Sequence, residues 1–164
     1  MADRRLQVFH AVARHLSFTR AAEALFMEHG YEATSLRAIT SAAEANLAAV
    51  NYHFGSKEEL FQAVLTRRLD PMNQQRVALL DRFEAEVAPA TLPCDRILAA
   101  LFIPALGLAR DPERGGTNFL RLLGRAYADP APFIRRFLSE QYASMIARFK
   151  TAFGRALPHL PRKE

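Results

Sequence analysis

Between Asn46 and Lys57 the chain reads NLAAVNYHFGSK, a run with little to offer catalysis and much to offer recognition. At helical spacing Leu47, Val50 and Phe54 form one apolar stripe. The other side then holds Ala48, Ala49, Asn51, Tyr52 and His53, all small or hydrogen-bonding and all uncharged. Small side chains allow close approach, and amide, phenol and imidazole groups can hydrogen-bond base edges or phosphate oxygens. No nucleophile is paired with a base here. Nor does such chemistry arise elsewhere. His10, His15, His29, His53 and His159 show no metal-ligand spacing, and Cys94 has no cysteine partner. No phosphate-binding glycine loop, dinucleotide glycine pattern or nucleophile elbow occurs. Gly115-Gly116 reads as a helix–helix turn. The chain is therefore read as a non-enzyme without cofactor or metal.

Short helices must position these residues. Thr34 or Ser35 can cap a first one, accepting from the free N–H groups of its opening turn. Leu36, Ile39 and Ala43 give that helix an apolar stripe. Glu44-Ala45-Asn46 is short enough for a turn, and Asn46 can cap the second helix, which Gly55 ends. Ser56-Lys57-Glu58-Glu59 has the S-x-x-E form of a capping box and opens a third. The whole is a helix-turn-helix leading into a long connecting helix.

Read in order, AAEALF (21–26), HGYEATSLRAIT (29–40) and NLAAVNYHFGSKEEL (46–60) resemble the TetR family of one-component transcriptional regulators, over about 18–64. The resemblance implies an all-α fold: a three-helix DNA-binding head at 1–56 and a helical regulatory domain at 57–164. It implies phosphate contacts from Thr34, Ser35, Tyr52, His53 and Lys57, with Arg37 in the same DNA-binding set. Asn46, Leu47, Ala48, Ala49 and Asn51 would face bases or backbone. The implied function is a ligand-responsive regulator, most often a repressor, binding a palindromic double-stranded operator. Residues 5–25, within RLQVFHAVARHLSFTRAAEAL, also resemble the start of a LysR-type regulator. Residues 17–29 are then the first core helix, and residues 3–16 either lengthen it or form a separate helix hinged at Ser17. The turn departs from the TetR pattern: Glu44 stands where the family usually has Gly, so the turn is reshaped or Glu44 carries strain.

Composition agrees with a globular protein but gives no uniformly basic head. Half the residues of the 164 are apolar, and the formal net charge is +5. Residues 1–60 hold six positive and seven negative side chains, so the basic excess lies beyond them. A lone cysteine excludes an intrachain disulfide and suits a reducing compartment. No apolar run approaches a membrane span, so a soluble, cytoplasmic protein is expected.

Beyond Lys57 the apolar pattern runs to Leu69, with Asp70-Pro71 expected to kink or break the helix as a hinge. It resumes to Val87, then passes the loop 88–93 into Ile97–Ala109, which Pro104 interrupts. Two more helices follow, about 119–127 and from Pro132 to about Leu157. The surplus of large apolar residues suggests a cavity for a small apolar effector lined by Leu101, Phe102, Leu108, Phe119, Leu123, Tyr127, Phe137 and Tyr142. An ordinary packed core is an equal reading. The resemblance implies two further helices that pair subunits, and this sequence is expected to lack them. The chain is expected to be monomeric or weakly dimeric, with apolar surface exposed near Tyr142, Met145 and Phe149. The alternative to a DNA-binding regulator is a DNA-incompetent fragment that binds small molecules or proteins.

Overall fold

The computed structural model describes residues 2–45, 52, 54–112, 116–128 and 131–160, with side chains from Leu16 onward. Among these residues the secondary structure is entirely helical: α1 (Ala2–Ala33), α2 (Leu36–Ala42), α3 (Lys57–Val87), α4 (Cys94–Ala109), α5 (Gly116–Ala128) and α6 (Pro132–Ala156). The second helix of the expected helix-turn-helix lies mostly outside the described residues. The chain divides into two compact units. The first is 1–67 with 121–129, and the second is 68–120 with 130–164.

In the first unit, α1 buries Phe18, Ala22 and Phe26 at successive four-residue steps. Residues 3–16 lengthen this helix rather than forming one of their own. Gly30 leaves helical geometry at φ 83° and ψ 176°, a conformation that suits a residue without Cβ. α2 packs on α1 and buries Ile39. The start of α3 adds Leu60, Phe61, Val64 and Leu65 to the same core. Phe26 and Phe61 meet edge to face at 5.0 Å, and Phe18 meets Phe54 in the same way at 6.2 Å. Glu23, 3% exposed, is paired with Arg67 at 3.3 Å, so its buried carboxylate has an opposite charge beside it.

The second unit is built on α3 beyond Arg67, α4, the first turn of α5, and α6. α4 packs on α6. Ile97, Ala100, Pro104 and Leu108 form the buried stripe of α4. Ile134, Leu138, Tyr142, Met145, Phe149 and Ala152 form that of α6. Two expectations fail here. Pro71 lies inside a continuous α3 and does not end it. Proline removes one N–H, but Leu69 and Met72 are buried on either side, and the Gln141 amide donates to the Asp70 carboxylate. The apolar surface expected at Tyr142, Met145 and Phe149 is not there, because all three are at most 5% exposed; on α6 it is Ile146 that stands out, at 42%. The spacing of Tyr142, Met145 and Phe149 is that of the inner face of α6. Pro104 likewise stays within α4, where Arg76 Nε donates to the Leu101 carbonyl at 2.9 Å.

Arg148 fastens α6 to α3 by donating to Asp81 at 2.7 Å and to Glu84. The hydrogen bond from Arg148 is the main cause of a lowered Glu84 pKa, opposed by burial and reinforced by the charges of Arg148 and Arg155. No described helix is long and apolar enough to cross a membrane.

Candidate nucleic-acid interface

Three local devices flank the segment read from the sequence as the face. The first is at the start of α2. Ser35 is its N-cap, extended at φ −98°, and its Oγ accepts from the Ala38 N–H at 3.1 Å. Ser35 and Arg37 are both exposed. Thr34 differs from expectation. It is 2% exposed, and its hydroxyl contacts the Gly30 carbonyl at 2.7 Å and the Leu25 carbonyl at 3.2 Å. This hydroxyl latches the chain after Gly30 to α1, so Thr34 is not presented as a phosphate contact.

The second device is the turn after α2. Glu44 N–H donates to Ser41 O at 3.2 Å and Ala45 N–H to Thr40 O at 2.9 Å. These two bonds make a Schellman C-cap, whose key residue adopts left-handed geometry and is usually glycine. Glu44 occupies it at φ 50°. The turn is therefore not reshaped around the substitution. Glutamate takes the glycine conformation, with the steric penalty of a Cβ.

The third device joins the end of the helix-turn-helix to α3. Gly55 turns the chain at φ 74°. Ser56 Oγ accepts from the Glu59 N–H and donates to the Glu59 carboxylate, each at 3.1 Å. That is half of the expected capping box: Glu59 takes the serine hydroxyl instead of reaching the Ser56 backbone N–H. One residue on, Lys57 Nζ lies 4.2 Å above the Tyr31 ring and donates to the Glu32 carbonyl at 3.4 Å. Tyr31 is itself fixed by Phe26 at 6.0 Å and Phe61 at 5.0 Å. The ammonium carries three donors, so this clamp orients the charge while leaving it able to bind an anion.

Tyr52 is 86% exposed, which removes the possibility that it packs in the core. Phe54, two residues on, is buried against Phe18. Ser35, Arg37, Tyr52 and Lys57 thus belong to one unit, with Tyr52, Ser35 and Arg37 open to solvent. Asn46, Leu47, Ala48, Ala49, Asn51 and His53 lie outside the described residues.

Residues 18–64 match the family described as "Bacterial regulatory proteins, tetR family", and residues 99–164 match "Tetracyclin repressor-like, C-terminal domain". The chain belongs to the TetR family. Members of that family are DNA-binding transcriptional regulators and not enzymes. Solved structures agree in fold. The SmeT–triclosan complex is 24% identical, covers 89% of this chain and 66% of its own, and superposes with a TM-score of 0.65. A protein from Mesorhizobium loti described as a TetR-family transcriptional regulator is 25% identical, covering 90% and 69%, with a TM-score of 0.59. Salmonella enterica GusR is 19% identical, covering 92% and 72%, with a TM-score of 0.60. The chain thus spans about two thirds of the length of these TetR-fold structures. No curated protein matches it.

The candidate ligand residues are divided between the two units. Leu123 and Tyr127 fall in the first unit and the other six in the second. Phe102 and Tyr127 are 54% and 55% exposed, so neither lines an enclosed cavity. Leu108, Phe119, Leu123 and Tyr142 are buried, and Leu101 and Phe137 are half-buried. Two hollows in the second unit involve other residues. One of about 380 Å³ lies among Glu84, residues 88–92, Ala152 and Arg155. One of about 480 Å³ runs along α3 from Asp70 to Asp81 beside Gln141, Ser144 and Met145. Sequence reasoning missed the Tyr31–Lys57 clamp and the Thr34 latch. The clamp joins residues 31 and 57, 26 apart in sequence, and the latch bonds backbone carbonyls four and nine residues back, so neither leaves a periodic signature.

Proposed function

We propose that the chain is a cytoplasmic, ligand-responsive repressor that binds a palindromic double-stranded operator through its head. The observation that carries this reading is the clamp on Lys57. An oriented ammonium opens the long helix five residues after Tyr52, an aromatic side chain that is almost wholly exposed. Ser35, Arg37, Tyr52, His53 and Lys57 would hold phosphates. Asn46, Leu47, Ala48, Ala49 and Asn51 would face the major groove. The operative division is a DNA-binding domain at 1–56 and a regulatory domain at 57–164. A small apolar effector would bind the regulatory domain more tightly in one of two states and so alter DNA affinity; the similar SmeT structure is a complex with triclosan. A homodimer would present two heads to two half-sites.

A second reading has a specific observation behind it. Glu44 places an exposed carboxylate at the turn before the recognition segment, and residues 1–60 carry one more negative than positive side chain. A DNA-incompetent regulator would have these features. A gel-shift assay with DNA from upstream of the protein's own gene separates the two. Specific retardation that survives excess competitor supports the repressor. Absence of any shift at low salt supports the second reading.

A further inference from the structure

The hollow between α3 and α6 is lined mainly by side chains that hydrogen-bond. Asp70, Asn73, Gln74 and Asp81 face it from α3, and Gln141 and Ser144 from α6. Its volume of about 480 Å³ is that of a small-molecule pocket. Asn73 is the deciding residue, and it is 8% exposed. Its Oδ1 accepts from Arg76 Nη1 at 3.1 Å, and Arg76 is itself held by the Leu101 carbonyl. That bond settles which end of the amide is oxygen. The other end, Nδ2, is buried and has no hydrogen-bond partner among the described residues. Nearly all buried polar groups have one. A second open group lies three residues earlier on the same face of α3. The Asp70 carboxylate is half-buried and accepts from the Gln141 amide, but it has no ion-pair partner among the described residues. The other carboxylate, Asp81, is paired with Arg148 at 2.7 Å.

We infer that this hollow is a binding site for a small hydroxylated amine, of the amino sugar or amino alcohol class. Its ammonium group sits against Asp70, with the Gln141 side-chain oxygen as a second acceptor. A ring or hydroxyl oxygen of the same molecule accepts from Asn73 Nδ2. Asp70 and Asn73 are about 4.5 Å apart along the helix axis, so one small molecule reaches both. Further hydroxyls meet Gln74 and Ser144, and Val77 and Met145 offer apolar surface to its carbon atoms. A neutral polyol leaves Asp70 without a counter-charge. A plain alkylamine leaves Asn73 without an acceptor. A site that holds both groups discriminates against ligands lacking either, because the abandoned polar group stays unpaired. The deciding donor is buried, so the site does not turn on the exposure of any surface. It is separate from the apolar effector of the proposed function and stands whether or not the head binds DNA.

Isothermal titration calorimetry on the 164-residue chain tests it, with glucosamine as the probe. Glucose keeps the ring and hydroxyls and loses the charge. Cyclohexylamine keeps a ring and the charge and loses the hydroxyls. Glucosamine should bind saturably, and each of the other two at least about tenfold more weakly. Asp70→Asn should remove the preference for glucosamine over glucose. Asn73→Leu should weaken glucosamine about tenfold while circular dichroism shows unchanged helix content. Should Asn73→Leu disturb the fold, Ser144→Phe takes its place, because Ser144 is exposed and a ring there obstructs the hollow. Ser144→Phe should abolish binding. Absence of saturable binding overturns the proposal, as does glucosamine binding indifferent to Asp70→Asn or to Ser144→Phe. Cyclohexylamine as tight as glucosamine would make the hollow a general cation site, and glucose as tight would remove the role of Asp70. Either result overturns it too.

Discussion

Tyr52 in the first unit and Phe102 in the second both stand well into solvent, at 86% and 54% exposure. Tyr52 ends in a hydroxyl, which water or a phosphate can satisfy. Phe102 ends in hydrocarbon and has Leu98, Ile103 and Leu106 for company on the same helix. Among the described residues of the first unit, Tyr52 and Tyr127 are exposed with polar tips, Leu16 stands out singly at 43%, and Phe18, Phe26, Phe54 and Phe61 are enclosed. In the second, α4 is enclosed on one side only. The contrast separates a surface suited to a charged, hydrated partner from one suited to an apolar partner, although composition is similar along the chain.

The largest effect comes from exchanging the burial of two phenylalanines. Phe61→Ala should destabilise the protein by about 3–5 kcal/mol in urea unfolding, since Phe61 is 1% exposed and touches both Phe26 and Tyr31. Phe102→Ala should change monomer stability by less than about 0.5 kcal/mol at low protein concentration. Equal losses would erase the distinction between the units. Thr34→Val comes next. It removes a buried hydroxyl that holds Gly30 and Leu25 carbonyls, and should cost roughly 1–2 kcal/mol in the same measurement. If DNA affinity fell while stability stayed constant, Thr34 would be a phosphate contact after all. Glu44→Gly has the opposite sign. Relief of the left-handed strain should raise stability by about 1 kcal/mol, and removing an exposed carboxylate should also strengthen DNA binding.

The smallest effect is electrostatic and belongs to the second unit. Glu84 has a folded-state pKa below 4.5 because of Arg148, so the unfolded chain binds its proton first as pH falls. The ion pair therefore contributes fully above 4.5, and its contribution is lost as pH falls from there through the lowered folded value. The melting temperature of the parent should drop more than that of Glu84→Gln across this range. Parallel curves would show that Arg148 does not hold Glu84.

The periodic parts of this architecture were legible in the sequence. Leu36 and Ile39, the S-x-x-E box and the Pro132 start all declare local geometry, and the all-α fold was expected from the TetR resemblance. Pro71 misled because proline's local cost is fixed while its tolerance depends on burial at Leu69 and Met72, which lie in tertiary structure. Tyr142, Met145 and Phe149 misled for a related reason. An amphipathic stripe announces that one face is buried, but not against what. The lost glycine at Glu44 was visible, and its left-handed conformation followed because the Schellman bonds fix the turn regardless of the side chain. The clamp of Lys57 on Tyr31 was illegible because it joins residues far apart in sequence, and the Thr34 latch because it depends on the chain leaving helical geometry at Gly30.

The central claim is that the head engages the DNA backbone through Lys57. Fluorescence anisotropy with a labelled duplex, across a salt series, tests it for the parent and for Lys57→Ala. The predicted result is parent binding that weakens steeply with salt. The variant should bind more weakly on every sequence, with a log–log salt slope smaller by about one. A parent that does not bind at low salt, or a variant with an unchanged slope and affinity, would contradict the account.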